Sequence, residues 1–166
     1  MEKTHEPKRP RGWARVFYRL PLKLYSFGLG SLLGERFIHL VHTGRVSGLR
    51  REVVLEVVEH VHAGDIYYVA SGWGARSDWY LNILKDPKVA AQVGSRKFCA
   101  QAEPVAPALA AEVFSRYGQR HPRTLQTLAR GMGYRIRPGD ESYRALGRVI
   151  PVVGIRVERL LPGSAL

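Results

Sequence analysis

The chain has 166 residues, of which 45% are hydrophobic, which is enough for one domain with its own core. Cys99 is the only cysteine, so no intrachain disulfide can form and a cytoplasmic location is expected. The net charge is +12, and residues 1–51 carry 11 Lys and Arg against 3 Asp and Glu. Such a basic pole can attract nucleic acid, anionic lipid or an acidic small molecule. No nucleic-acid partner is expected, because the sequence has no helix-turn-helix, finger, basic-zipper or RNP pattern.

Residues 1–34 are predicted to form a basic amphipathic helical extension ahead of the main domain, residues 35–166. Apolar residues recur there with helical spacing, and basic residues recur at every fourth position on another side, namely Arg11, Arg15, Arg19 and Lys23. Charges interrupt the apolar run, which argues against a signal peptide and against a transmembrane span. The apolar face can pack on the domain. The alternative is reversible docking of residues 8–34 on an anionic membrane surface, at the inner face of the membrane.

Beyond residue 35 the pattern predicts about six antiparallel strands, at 36–42, 52–61, 66–70, 89–93, 97–103 and 148–160. Asp78 is predicted to cap a helix at 79–85. A second helix at 107–117 is expected to bury Leu109, Val113 and Phe114. The connections between strands are too short for helical crossovers, which excludes a doubly wound fold. The prediction is therefore an α+β fold, a small β-barrel with peripheral helices.

Residues 119–147 are predicted to be a long surface insertion that could cover a site, with a possible helix at 125–130. Glycine and proline interrupt any regular pattern in this segment.

Two polar, glycine-bearing loops, residues 42–51 and 71–78, each follow an apolar strand-like run. Glycine lets a backbone approach a ligand closely, and the forked guanidinium of arginine fits phosphate and carboxylate oxygens. The two loops together predict a site for an anionic cofactor. Arg45 lies between two glycines of the first loop, where we expect it to serve a ligand rather than the structure.

Several motifs occur in a fixed order: Thr43-Gly44-Arg45-Val46-Ser47-Gly48, then Ala70-Ser71-Gly72-Trp73-Gly74, then Asp78-Trp79-Tyr80-x-Asn82 and Asp86-Pro87-Lys88-Val89. This order resembles the deazaflavin-dependent nitroreductase family. The resemblance implies a split β-barrel of the flavin-reductase/oxidase-like type. It also implies the cofactor coenzyme F-420, a deazaflavin with a phosphate and a polyglutamate tail, with FMN as the alternative. Members of the family transfer a hydride to quinones, nitroaromatics or enones.

The resemblance implies that both loops and the helix after them bind the cofactor, through Arg45, Ser47, Gly48, Arg50, Arg51, Ser71, Gly72, Trp73, Gly74, Arg76, Asp78, Trp79 and Asn82. Val46 and the Gly72-Trp73 pair stand where basic residues are common in the family, and neighbouring arginines can compensate. Other roles are open for four of these residues: Trp73 and Trp79 can cap the end of the barrel, with core packing favoured for Trp79, Asp78 can cap its helix, and Asn82 can tie a neighbouring loop.

Ser71 and Tyr117 are the candidate catalytic residues, as donors to an oxygen that gains charge during hydride transfer. Tyr134 and Tyr143 are weaker candidates. No nucleophile with a base beside it is visible, so hydrolysis is not expected. His39, His42, His60 and His62 lie along strands without ligand spacing, so no metal site is expected either.

Two functions follow from the sequence. The first is a deazaflavin-dependent oxidoreductase that reduces an apolar small-molecule acceptor such as a quinone, nitroaromatic or enone. The second is a non-catalytic protein of the same fold that binds flavin, deazaflavin or fatty acid. A monomer or a homodimer is compatible with both.

Overall fold

The computed structural model describes residues 1–4 and 34–162. The strands in these ranges are β1 (Glu2–Lys3), β2 (Phe37–Thr43), β3 (Arg50–Val61), β4 (Ile66–Ala70), β5 (Lys88–Val93), β6 (Arg96–Pro104), β7 (Tyr134–Arg135) and β8 (Val152–Leu160). Six of them form a closed barrel in the order β2-β3-β4-β8-β6-β5, and every pairing is antiparallel. The predicted split β-barrel of α+β class is thus confirmed.

The barrel core follows from side chains that alternate between its interior and its outer surface. In β2 the buried residues are Ile38, Leu40 and His42, and in β6 they are Phe98, Ala100 and Ala102. A period of two is the pattern of a strand that has one buried face. The predicted hairpins β3–β4 and β5–β6 both form, and each pairs its two strands directly.

Within the described residues, four α-helices surround the barrel: α1 (Asp78–Lys85), α2 (Pro107–Arg120), α3 (Pro122–Gly131) and α4 (Asp140–Val149). The last three bury a second core against the barrel, which includes Tyr68, Phe114, Leu125, Leu146 and Val152. The prediction for α2 is right for Val113 and Phe114 and wrong for Leu109, which is 39% exposed. Ala110, rather than Leu109, lies on the buried stripe of this helix.

The prediction that residues 119–147 lie on the surface is wrong for the helices α3 and α4. These helices bury Leu125, Ala129, Tyr143 and Leu146 in the second core. Helix α4 packs closely on α2, since a Cβ added at Gly147 would lie 2.5 Å from the carbonyl oxygen of Ala110. Whether the segment is an insertion stays a prediction.

Two predicted boundaries are corrected. The last strand begins at Val152, because residues 148–149 complete the last turn of α4 and Pro151 then breaks the helix. Helix α1 has Ser77, not Asp78, at its N-cap position, and Asp78 is its first residue.

At the start of the chain, β1 pairs with β7 through Glu2↔Arg135 and Lys3↔Tyr134, and Lys3 and Tyr134 lie beside the cleft described below. The predicted amphipathic helix and its basic face lie outside the described residues. Among the residues that are described, no helix has the length and apolar character needed to span a membrane.

Candidate functional site

A cleft of about 1230 Å³ opens where the loops after β2 and β4 approach helix α1. The strands β2 and β4 are both antiparallel to β3, so they run in the same direction and their loops meet at one end of the barrel. Residues from the segment after α3 and from the end of α4 form the opposite wall. The lining includes Lys3, His42, Arg45, Ser47, Arg51, Val53, Gly72, Trp73, Gly74, Arg76, Ser77, Asp78, Trp79, Asn82, Met132, Tyr134, Val149 and Ile150.

The first loop, residues 44–49, is a tight turn that its own backbone closes. The amide of Gly44 donates to the Leu49 carbonyl at 2.8 Å, and the amide of Gly48 donates to the Gly44 carbonyl at 2.8 Å. Gly48 has a φ of 66°, a left-handed conformation that glycine adopts without strain. The conformation of this loop is therefore set by the chain itself.

Arg45 ties this loop to helix α1. Its backbone amide and its Nη1 both donate to Oδ1 of Asn82 at 3.0 Å, and its Nη2 donates to Oδ1 of Asp78 at 3.1 Å. Lys85 adds a bond from Nζ to the Arg45 carbonyl at 2.7 Å. The expectation that Arg45 has little structural work is wrong, because its guanidinium is held by two residues of the helix.

The second loop, residues 71–77, folds around the carbonyl of Gly74. The hydroxyl of Ser71 lies 2.7 Å from this carbonyl oxygen and 2.7 Å from the hydroxyl of Ser77, which itself lies 3.1 Å from the same carbonyl oxygen. Ser71 is fully buried and does not line the cleft. Its hydroxyl therefore holds the turn and presents no donor to a ligand.

Two cleft arginines have no acidic partner within the described ranges. The guanidinium of Arg51 donates to the Ser47 hydroxyl at 3.5 Å, and Arg76 is exposed at the end of a short 3-10 helix, Gly74–Arg76. Arg50 differs, because it pairs with Glu52 at 3.0 Å and does not line the cleft. Lys3 and Arg45 also line the cleft, and Arg51 and Arg76 are the cleft arginines for which no ion pair is found in the described ranges.

Part of the cleft wall is apolar, although Glu52 also lines the cleft. The apolar part is formed by Val53, Trp73, Trp79, Met132 and Ile150. Trp79 is 5% exposed and also packs in the barrel core, as the alternative reading of this residue predicted. A planar apolar ring and an anionic tail can therefore be held in one cleft, and its volume exceeds that of ordinary sites for drug-sized ligands. The residues present fit a deazaflavin coenzyme.

His42, which the sequence analysis considered only as a possible metal ligand, lines the cleft. It is 5% exposed, and its Nδ1 lies 3.2 Å from Nδ2 of Asn82. Burial lowers the pKa of His42, the carbonyl of Thr43 opposes this, and the charge of Arg51 lowers it further. The available signal was its place on the buried side of β2, one residue before the first loop.

Tyr117 lies away from the cleft. It is buried in the second core, where its hydroxyl donates to Oε1 of Glu56 at 2.9 Å, and burial raises the pKa of this hydroxyl. Tyr143 is also buried in that core, whereas Tyr134 lines the cleft. The structure thus brings neither of the two predicted catalytic hydroxyls to the cleft.

Of the predicted cofactor-binding residues, Arg45, Ser47, Arg51, Gly72, Trp73, Gly74, Arg76, Asp78, Trp79 and Asn82 line the cleft. Gly48 lines a smaller depression of about 420 Å³ beside the first loop, together with Lys85 and Asp86. In the part of the chain that the structure describes, no group of three or more His, Cys, Asp and Glu residues is placed to hold a metal.

Solved structures share this fold at low sequence identity. An F420-H2 dependent reductase is 18% identical, with a TM-score of 0.52 over 74% of this chain and 96% of its own. A conserved hypothetical protein of Mycobacterium tuberculosis is 15% identical, with a TM-score of 0.55 over 84% and 90%. A domain-swapped dimer is 19% identical, with a TM-score of 0.53 over 87% and 97%. No curated protein matches the chain.

The barrel and its cleft define a split-barrel protein of α+β class with a site suited to a large, partly anionic ligand. The family model of the F420H(2)-dependent quinone reductase matches residues 24–131, and the chain belongs to this family. The resemblance found in the motifs is thereby confirmed. The family indicates an oxidoreductase whose cofactor is the reduced deazaflavin coenzyme, with FMN secondary.

Proposed function

We propose that this protein binds reduced deazaflavin coenzyme in the cleft and uses it to reduce an apolar acceptor. A quinone is the first choice of acceptor, and a nitroaromatic or an enone is the second. One observation carries the proposal. The cleft combines an apolar wall with two arginines that have no acidic partner in the described ranges, Arg51 and Arg76. The family supports a quinone as acceptor.

The bound coenzyme would supply the hydride, and the protein would bind, orient and shield it. Arg51 and Arg76 would contact the phosphate or the carboxylates of the tail, because charge-assisted bonds to guanidinium groups are strong. Trp73, Met132 and Ile150 would face the ring system and exclude water. Ser71 would act indirectly, by holding the turn that presents Gly72 and Trp73.

A donor to the acceptor oxygen is needed where charge develops. Tyr134 is our candidate, since it is half-buried and lines the cleft, whereas Tyr117 does not line it. Arg45, Asp78 and Asn82 would form the base of the site. They would also contact the coenzyme directly.

Location and assembly are also proposals. The family and the lone cysteine support a cytoplasmic enzyme. The domain-swapped dimer among the similar structures is a reason to test for a homodimer. Peripheral membrane association through residues 8–34 stays a prediction.

The decisive experiment is a titration of the purified protein with deazaflavin coenzyme and, separately, with FMN. We expect saturable binding of the deazaflavin. Replacing Arg51 or Arg76 by alanine should weaken it by roughly 1.5–3 kcal/mol each, the usual worth of a bond to a charged group. Arg159→Ala is the matched control, because Arg159 is exposed and does not line the cleft.

Single-turnover assays with a quinone, a nitroaromatic and an enone then identify the acceptor class. Binding without turnover of any acceptor would support the non-catalytic alternative. Tight binding of FMN and none of the deazaflavin would overturn the proposed cofactor.

A further inference from the structure

Strand β1 is a part of the cleft to which the proposed function assigns no role. It consists of Glu2–Lys3 and lies against β7, Tyr134–Arg135, in a two-stranded sheet outside the barrel. Both strands contribute to the cleft, because Lys3 and Tyr134 line it. Residues at the start of the chain therefore form part of the wall that carries the proposed donor, Tyr134.

The register of this small sheet brings the side chains of Lys3 and Tyr134 together. The two residues are directly opposite each other, and opposite residues of an antiparallel pair lie on the same face. The amide of Thr4 donates to the carbonyl of Gly133 at 2.7 Å. This bond flanks Lys3 and Tyr134 as a non-hydrogen-bonded pair, the kind in which opposite side chains are closest. Tyr134 and Lys3 are thus neighbours on the cleft side of the sheet.

Hydrogen bonds from the start of the chain hold the backbone on both sides of Tyr134. The amide and the Oγ1 of Thr4 both donate to the carbonyl of Gly133, at 2.7 and 3.0 Å, across 129 positions of sequence. The same ladder pattern directs the amide of Arg135 to the carbonyl of Glu2. Within the described ranges, β1 is the strand with which β7 pairs.

The rest of the fold fixes the ends of this segment but not its middle. The amide of Met132 closes the last turn of α3 on the carbonyl of Leu128 at 2.9 Å, and Ile136 is buried in the second core. Tyr134 lies between these two anchors and is only half-buried. A displacement of about 1 Å in a reacting group can cost roughly 100-fold in rate, so the backbone at Tyr134 needs the support that β1 gives.

We propose that residues 2–4 are positioning residues for Tyr134. Strand β1 holds the backbone of residues 133–135 so that the Tyr134 hydroxyl stays directed at the acceptor oxygen on which negative charge develops. This inference rests on the proposed function and deepens it, because it makes the start of the chain a part of the active site. Strand β1 itself takes no part in the hydride transfer.

The first test measures amide hydrogen exchange in the free protein. Thr4→Pro removes both the amide and the hydroxyl that bond to Gly133, whereas the control Thr4→Ser retains both groups. We expect the Arg135 amide to exchange roughly 10-fold faster in Thr4→Pro than in wild type or Thr4→Ser. Residue 4 is exposed, so the variants should fold, which thermal unfolding checks. Thr4→Val, which loses the hydroxyl bond alone, should show a smaller increase and gives a milder second variant. Equal exchange in all four proteins would overturn the inference.

The second test is a double-mutant cycle between residue 4 and Tyr134, measured by single turnover at saturating coenzyme. Thr4→Pro should slow the reaction about 10- to 100-fold and leave the coenzyme dissociation constant nearly unchanged. Thr4→Ser should keep the wild-type rate. In the Tyr134→Phe protein, Thr4→Pro should cause little further loss, because the hydroxyl that β1 positions is already absent.

Two results of the cycle would overturn the inference alone. One is a rate loss from Thr4→Pro that is equally large with and without the Tyr134 hydroxyl, and the other is an effect confined to the coenzyme dissociation constant. A wild-type protein that binds no coenzyme or reduces no acceptor would overturn the proposed function together with the inference.

Discussion

Arg45 has a structural role whatever it does for a ligand. We expect Arg45→Ala to lower the free energy of unfolding by about 1–2 kcal/mol, because it removes the side-chain bonds to Asp78 and to the buried Asn82. Arg50→Ala is the control, since the Arg50–Glu52 pair is exposed and such pairs contribute about 0–1 kcal/mol. Urea denaturation measures both. Equal stability of the two variants would show that the Arg45 bonds contribute little.

A comparison of Tyr134 with Tyr117 can distinguish a catalytic hydroxyl in the cleft from a hydroxyl that only packs in the core. We expect Tyr134→Phe to slow hydride transfer by roughly 10- to 1000-fold, as the loss of one donor to a developing negative charge does, with little effect on coenzyme affinity. Tyr117→Phe is the matched control, because its hydroxyl is bonded to Glu56 away from the cleft. Single-turnover kinetics with reduced coenzyme measure both. A normal rate for Tyr134→Phe would remove it as the donor.

The turn between β3 and β4 is an electrostatic anchor of the barrel. Asp65 lies in it with a φ of 47°, its carboxylate is bonded to Nη2 of Arg96 at 2.7 Å and to Nε2 of His60 at 3.0 Å, and its carbonyl accepts the amide of Val157. The bond from Arg96 holds the pKa of Asp65 below its usual range, although burial opposes this.

This anchor should weaken in acid. A carboxyl group whose pKa is lower in the folded state stabilises the protein above its unfolded pKa of about 4, and the contribution is lost as the pH falls through the folded value. Asp65→Asn should therefore be less stable than wild type at pH 7, and the difference should disappear once the pH falls below the folded pKa of Asp65. Asparagine tolerates the left-handed backbone, so the charge alone is tested. Chemical denaturation at several pH values measures the difference, and a pH-independent gap would contradict the assignment.

Helices α2 and α4 pack at a distance that only glycine permits. A Cβ at Gly147 would lie 2.5 Å from the Ala110 carbonyl oxygen and 2.7 Å from Cα of Ala111, both backbone atoms that cannot move alone. Gly147→Ala should destabilise the protein by about 1–3 kcal/mol through overpacking. Gly131→Ala, at the end of α3 with open space around it, should be neutral or stabilising by up to about 1 kcal/mol. Thermal unfolding of the pair tests the contact, and the reverse order would disprove it.

The charge of the whole chain should govern how the acidic coenzyme finds the cleft. With a net charge of +12, association with a polyglutamate-bearing coenzyme should slow as salt is added, because the screening length falls to about 10 Å at 0.1 M. A deazaflavin without the tail should respond less. Stopped-flow fluorescence at increasing salt measures both rates. Identical salt dependence would show that the chain does not steer the tail.

Local pattern predicted the barrel well. Strand alternation, the turns at 62–65 and 94–95 and the two glycine loops are all encoded within a few consecutive residues, so hairpin pairing and the position of the cleft could be anticipated. The segment 119–147 could not be interpreted in the same way. Its helices are short, and they are stabilised by burial against α2 and the barrel rather than by their own residues.

The sequence by itself thus determined the fold class, the loops that line the cleft and, through their motifs, the family. Only the tertiary structure decided what individual side chains do there. Arg45 meets Asn82 across 37 positions, His42 meets Asn82 across 40 and Tyr117 meets Glu56 across 61. Such partners are set by the way the barrel closes and the helices dock. A hydroxyl, guanidinium or imidazole is available to a ligand only when the fold has not already engaged it, and no pattern of neighbouring residues carries that information.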